Sequence, residues 1–282
     1  MTDQSTTDLD PAIKRYYDRA PEETRLANGA SQLEELRSRE LILRHAPEAP
    51  AVVFDVGGAG GAYAFWLSER RYDVRLFDVV PRLVDVARQR NEHASYKLTS
   101  CDVADARSLP APSESAEMVL LLGPLYHLVD EAQRYAALAE AYRVLRPGGV
   151  LIAAAISRWA SALDGLSREL LRDPEFATIV EQDLLDGHHR NPTTRLDYFT
   201  TAYFHRPDDL RREVGDAGFD VKGLYGVEGP AWILPDFVER WSDPERQKII
   251  LDVARALESE PSVIGCSAHM IVVGRKPSFP SA

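Results

Sequence analysis

The stretch Phe54-Asp55-Val56-Gly57-Gly58-Ala59-Gly60-Gly61 decides the fold of this chain. It completes Ala51–Val56, a short apolar, β-rich run of the kind that forms a strand buried on both faces. The glycines that follow let backbone approach a ligand closely and reach positive φ. In open α/β sheets, ligands bind beyond the carboxyl ends of the strands, which is where this loop falls. A dinucleotide fingerprint needs G-x-G-x-x-G. From Gly57 that frame meets Ala59 and Ala62, and from Gly58 it ends on Tyr63, so neither fits. Asp55, just ahead of the glycines, would repel a pyrophosphate and suits a ligand that carries an ammonium group.

Outward from this loop, strand and helix patterns alternate. Strands are predicted at Val74–Asp78, Tyr96–Cys101, Met118–Leu122 and Val150–Ile156. Helices are predicted at Pro81–Arg90 and Asp130–Leu145, the second opening with the capping-box spacing of Asp130 and Gln133. Arg146-Pro147-Gly148-Gly149 forces a turn before the strand from Val150. This alternation implies a parallel, doubly wound sheet with helices on both faces. Upstream, Asp10-Pro11 opens one helix and Gln32–His45 forms another. From Ser157 to about Arg206 the pattern is helical, with no strand that clearly belongs to the sheet, as expected of an insertion serving as a lid. A helix at Asp208–Ala217, a strand at Phe219–Tyr225, a helical pair within Asp236–Ser259 and a strand at Val263–Val273 complete the chain.

Further stations follow in order. Asp78 ends the second strand, roughly 20 residues beyond the glycine loop, where an acidic residue takes ribose hydroxyls. Ala104-Asp105-Ala106-Arg107-Ser108-Leu109-Pro110 follows the third strand, with Asp102 as a rival acid nearby. Leu120-Leu121-Leu122-Gly123-Pro124-Leu125-Tyr126-His127-Leu128 follows the fourth, and Arg143-Val144-Leu145-Arg146-Pro147-Gly148-Gly149 precedes the fifth.

With these elements the sequence resembles the class I S-adenosylmethionine (SAM) dependent methyltransferases, in particular small-molecule enzymes like methyltransferase types 11 and 25. Asp55, Gly57, Ala59 and Gly61 match the family's acidic-x-G-x-G-x-G motif, with Ala59 in place of its middle glycine. The likeness is strongest from Ala51 to Ala155 and weaker to the end. It implies a mostly parallel, seven-stranded Rossmann-like sheet with a helical lid. The expected division is a helical cap over residues 1–46, a SAM-binding core over 47–156, a lid over 157–206 and completion of the sheet over 207–282.

The implied cofactor residues are Asp55, Gly57, Gly58, Asp78, Val79, Asp105, Ala106 and Leu122. Asp105 would accept from the adenine amino group while the next backbone N–H meets the ring. Tyr17 and Arg25 would sit over the cofactor: a tyrosine face can stabilise a sulfonium, and Arg25 could meet the methionine carboxylate. The opposing reading is that the tyrosines only pack and Arg25 is a surface charge.

His127 is the candidate general base, because it follows a strand's carboxyl end and its ordinary pKa is near neutrality. The alternative is that it orients substrate. Tyr126, His189, Arg190 and Tyr203 are the candidate acceptor residues, with Tyr198 and His205 nearby. Trp232 and Phe237 could wall the same pocket or pack the core. No metal is expected, since His188 and His189 have no carboxylate or cysteine partner at ligand spacing.

Composition bounds the function. The 282 residues are 45% hydrophobic and carry a formal net charge of -11. Nucleic-acid binding usually needs a basic face, so the charge speaks against it. Met1–Ser5 is polar and acidic, which does not suit a signal peptide, and no apolar run approaches bilayer length. Cys101 and Cys266 are expected to be reduced in a cytoplasmic protein. The expected activity is methyl transfer to oxygen or nitrogen of a small metabolite. An RNA or protein methyltransferase, a non-catalytic SAM-binding protein and, more distantly, a nucleotide-dependent oxidoreductase are the competing readings. The sequence leaves oligomeric state and acceptor open.

Overall fold

A computed structural model of the chain describes residues 10–17, 19 and 22–278. The terminal stretch Met1–Ser5, and Asp18 and Ala20 beside Tyr17, lie outside the described residues. In chain order come α1 (Pro11–Tyr17), α2 (Ser31–His45), β1 (Val52–Val56), α3 (Ala62–Ser68), β2 (Asp73–Asp78), α4 (Pro81–His93), β3 (Ser100–Val103) and β4 (Ala116–Leu121). Then follow α5 (Pro124–His127), α6 (Glu131–Val144), β5 (Leu145–Ser157), α7 (Ala160–Ser167), α8 (Pro174–Asp186), β6 (His188–His189) and β7 (Ala202–His205). The chain closes with α9 (Pro207–Asp216), β8 (Asp220–Gly226), α10 (Phe237–Ser242), α11 (Pro244–Leu257) and β9 (His269–Arg275).

The strands join in the order β3-β2-β1-β4-β5, all parallel. β9 lies antiparallel along β5, and β8 lies antiparallel on β9. These seven make the expected mostly parallel, doubly wound sheet. Alternate residues of a strand face opposite sides, and both sides are packed. Phe54, Phe77, Val119 and Leu151 join one core cluster, while Val53, Leu76, Met118 and Ile152 join the other. Burial on both faces is why the central strands are almost uninterrupted in apolar residues. α6 opens as expected, with the Asp130 side chain accepting from the Gln133 N–H.

Four expectations need correcting. The 157–206 insertion does contribute to the sheet: β4 leaves β5 at Leu121↔Ala153, and β7 takes that edge in parallel at Ile156↔Phe204 and Ser157↔His205. β6 then pairs with β7, which gives nine strands rather than seven. Arg146–Gly149 does not end an element; it is a bulge inside β5, with Gly148 at φ 79°. β3 starts at Ser100 rather than Tyr96; the Thr99 N–H already donates to the Val74 carbonyl, and the paired register with β2 opens at Arg75↔Ser100. Residues Ile264–Cys266 form a 3-10 turn, so the last strand begins at His269. Among the described residues, no helix is long and apolar enough to cross a membrane.

Candidate active site

The carboxyl ends of β1, β2 and β4 open into a cavity of about 550 Å³. The glycine loop shapes its floor. Gly57 adopts φ 75°, and a Cβ there would come within 2.5 Å of the Pro124 ring. A Cβ on Gly58 would strike the Asp55 carboxylate at 2.7 Å. Both positions therefore require glycine. Ala59, where the motif has glycine, also takes positive φ (48°).

Two buried acids face this cavity. Asp78 accepts from the Ala59 N–H at 2.8 Å and from the Val80 N–H at 2.8 Å, so it ties the loops after β1 and β2 together. Asp55 is buried, and its Oδ2 has no hydrogen-bond partner in the protein. Burial, and then the charge of Asp78, push its pKa up to about 7, against the backbone N–H of Ala64. A buried carboxylate oxygen without a partner is unusual, and a cationic ligand in the cavity would satisfy it.

Val79 and Leu122 line the same cavity, as do Asp105 and Ala106. The Asp105 carboxylate is engaged by its neighbour Arg107, through the backbone N–H at 2.8 Å and the guanidinium at 2.9 and 2.5 Å. Those bonds outweigh its burial and hold its pKa below the usual carboxylate range. Asp102, the rival, is not among the lining residues.

Tyr17 and Arg25 close the cavity from the N-terminal side. Arg25 forms a two-pronged pair with Glu34, at 2.6 and 3.0 Å. The Tyr17 hydroxyl lies 2.6 Å from Nε2 of His127, whose Nδ1 faces the Thr201 carbonyl at 3.4 Å. Nδ1–H donating to that carbonyl leaves Nε2 as the acceptor for the tyrosine. Enclosure by protein lowers the His127 pKa to about 4, so the ring is neutral at ordinary pH and able to accept a proton.

A second cavity, about 640 Å³, adjoins the first. Tyr17, Arg25, Glu34, Tyr126 and His269 line both. The far walls come from α7, α8, the segment Leu196–Phe199 and residues Trp232–Val238. Of the expected acceptor residues, Tyr126 and His189 line this cavity. His189 is fully enclosed, bonded to Asp183 at 2.8 Å and to the Tyr198 carbonyl at 2.7 Å. Arg190 is exposed and lines neither cavity, and Tyr203 lines neither. The pleat explains both. His188 and Tyr203 are paired across β6–β7 on the face opposite His189, and Arg190 follows with the parity of His188. Tyr203 packs instead under the Arg134 guanidinium, 3.9 Å from its ring centre. His205, also outside both cavities, bonds Glu213 at 3.2 Å.

The sequence reading passed over Glu34, Glu228 and His269. Their donor atoms lie within 4.8 Å of one another, which makes them the one grouping of metal-type donors found among the described residues. They are already joined within the protein: Arg25 grips Glu34, and His269 bonds Glu228 at 2.6 Å. Burial alone would lower the His269 pKa, but Glu34 and Glu228 raise it. Ordinary spacing rules could not have found this trio, because it is assembled from three distant segments. Trp232 and Phe237 do line the second cavity.

Residues 54–153 match the family model described as a methyltransferase domain. A demethylmenaquinone methyltransferase of Deinococcus radiodurans is 35% identical over 127 residues, 44% of this chain and 49% of that protein. A ubiquinone/menaquinone biosynthesis C-methyltransferase UbiE of Neisseria meningitidis is 27% identical over 62% of this chain and 69% of its own length. The chain spans about half, or less, of the length of the first curated relatives it matches. Among solved structures, an S-adenosylmethionine dependent methyltransferase from Mesorhizobium loti shares the fold with a TM-score of 0.58 at 15% identity, over 86% of this chain and all (100%) of that one. Residues 54–153 are thus similar to a methyltransferase domain, and the fold as a whole is shared with a solved S-adenosylmethionine dependent methyltransferase.

Proposed function

We propose that the chain transfers the methyl group of SAM to an oxygen or nitrogen of a small molecule, with the cofactor in the glycine-loop cavity and the acceptor in the adjoining one. The observation that carries this reading is the shared wall: Tyr17 and Tyr126 line both cavities, so groups held in each can meet there. The first cavity suits SAM because Asp55 offers a buried, unpartnered carboxylate oxygen to a ligand with an ammonium and a sulfonium and no phosphate. Gly57, Gly58, Val79, Ala106 and Leu122 supply close backbone and apolar contact. Asp78, which ties the two loops together, lines the cavity at the place suited to ribose hydroxyls. Asp105, held by Arg107, presents Ala106 to the adenine. Arg25, held by Glu34, orients the methionine end.

When bound, SAM supplies a methyl group already activated by its leaving group. The chain's own task is to orient the acceptor, exclude water and remove a proton. His127 takes that proton through the Tyr17 hydroxyl that covers Nε2. α1 and the insertion close over the two cavities and shut out water. The likeness to the Deinococcus and Neisseria menaquinone and ubiquinone methyltransferases favours a second reading, transfer to carbon of a quinone-type acceptor.

The test uses methyl-labelled SAM, the purified chain and a cell extract. Label in the acid-soluble fraction supports the small-molecule reading, and mass fragmentation then assigns carbon, oxygen or nitrogen. Label in the precipitate, released by nuclease or protease, replaces it with a macromolecular acceptor. Calorimetry with S-adenosylhomocysteine tests the cofactor half separately.

A further inference from the structure

The second cavity holds information about its occupant that the cofactor motifs do not. Its volume, about 640 Å³, accommodates roughly two or three fused rings. Flat side chains make much of the wall: Tyr126, Phe199 and Phe204 on one side, Trp232 and Phe237 on the other. Such surfaces favour stacked or edge-on contact with another ring.

The charged residues on the wall are paired off within the protein. Glu34 is held by Arg25 at 2.6 Å and Glu228 by His269 at 2.6 Å. His189 and Asp183 form a buried pair at 2.8 Å, while the Asp164–Arg168 and Asp197–Arg195 pairs, each at 2.8 Å, are partly exposed. A carboxylate, phosphate or ammonium on a ligand seated against the ring-lined, buried part of the wall would have to break the Arg25–Glu34, His269–Glu228 or His189–Asp183 pair. That leaves a charge unpaired, at a cost larger than the new contact returns. Among the described residues of the wall, the hydroxyl of Ser161, in the first turn of α7, is buried and has no hydrogen-bond partner. It can pair with a neutral hydroxyl or carbonyl of a ligand.

We infer that the second cavity accepts an uncharged, ring-bearing molecule carrying a hydroxyl or keto group, and discriminates against carboxylate, phosphate and ammonium analogues of the same ring. This rests on the methyltransferase reading, since it names the acceptor class of that site. Loss of the proton from a ring hydroxyl to His127 by way of Tyr17 balances the transfer: the methyl group forms a bond to the ring oxygen, its bond to sulfur breaks, and the positive charge passes from sulfonium to imidazolium.

Calorimetry of the full chain, with and without S-adenosylhomocysteine, compares 2-naphthol, 2-naphthoate and 2-naphthylmethylammonium. The expected result is 2-naphthol binding about tenfold or more tighter than either ion. Phe199→Ala should weaken 2-naphthol by about tenfold while S-adenosylhomocysteine binding stays unchanged; if that variant does not fold, Ser161→Ala should weaken it several-fold. Equal or tighter binding of either ion overturns the inference, as does no binding of any probe to a chain that binds S-adenosylhomocysteine. A chain that binds 2-naphthol selectively but not S-adenosylhomocysteine keeps the cavity's chemistry and overturns the methyltransferase reading instead.

Discussion

The Tyr17 hydroxyl and the His127 ring, 110 positions apart in sequence, form one hydrogen-bonded unit at 2.6 Å on the wall of the first cavity. His127 is neutral there, its pKa lowered to about 4 by burial. In the unfolded chain the ring titrates near its ordinary 6.5. Between these values the unfolded state binds more protons, so the contribution to stability is complete above about 6.5 and is lost as pH falls toward 4. His127→Gln should make the loss of stability between pH 7 and pH 5 shallower by about 1–2 kcal/mol. Urea melts of both proteins at the two pH values measure this, and parallel losses would contradict it.

Asp55 has the opposite sign. Its folded pKa, about 7, lies above the ordinary 3.8, so the folded protein binds the extra proton between those values. Stability of the ligand-free chain should therefore fall as pH rises through that window. Asp55→Asn should stabilise the ligand-free protein by about 2 kcal/mol at pH 8 and weaken SAM binding more than tenfold. Wild-type affinity for SAM should rise from pH 6 to pH 8, with proton release visible as a buffer-dependent binding enthalpy. A variant no more stable than wild type at pH 8 would sink this account of the site.

Ala59 holds a left-handed backbone that glycine adopts without strain. Ala59→Gly should raise stability by about 1 kcal/mol, less the entropy glycine adds to the unfolded chain. Its N–H bond to Asp78 should survive, so SAM affinity should not fall. Thermal melts decide the first point and calorimetry the second.

Arg134 and Glu213 form a buried pair at 2.7 Å that holds the loop after the candidate base, since Arg134 also donates to the carbonyls of Leu128 and Val129. Burial acts to raise the Glu213 pKa, but its bonds to His205 and Arg134 bring it down to about 2. Its stabilisation is thus present above about pH 4.5 and is lost only as pH falls toward 2. Glu213→Ala leaves Arg134 buried without its partner and should cost about 3–5 kcal/mol. Arg134→Met with Glu213→Leu should recover most of that loss in a chemical melt; failure to recover would place the value of the pair elsewhere.

The first cavity was legible in the sequence because its determinants are local. A strand tip, a glycine loop and an acid at the next strand tip occupy fixed places along the chain, and Asp55, Gly57 and Asp78 all line the first cavity. The second cavity was legible only in outline. Its wall gathers side chains from α2, α7, α8, β7 and the segment before α10, which no spacing rule connects. Within the His188–Arg190 cluster, the pairing of β6 with β7 decides which side chain turns inward, and a one-residue choice of parity separates His189 from Arg190. The same register was needed to see that β7 joins the sheet.

β7 touches β5 through two register pairs alone, Ile156↔Phe204 and Ser157↔His205, beyond the point where β4 has ended. The part of the second cavity's wall that comes from α7 to β7 is thus grafted on a strand tip rather than woven through the sheet. Under the proposed function, such a graft separates two evolutionary tempos. Residues 160–200 can be exchanged, lengthened or re-lined while β1, β2 and β4 keep the cofactor loops in register. In that way one scaffold could be re-lined along one wall of its second cavity without disturbing the loops of the first.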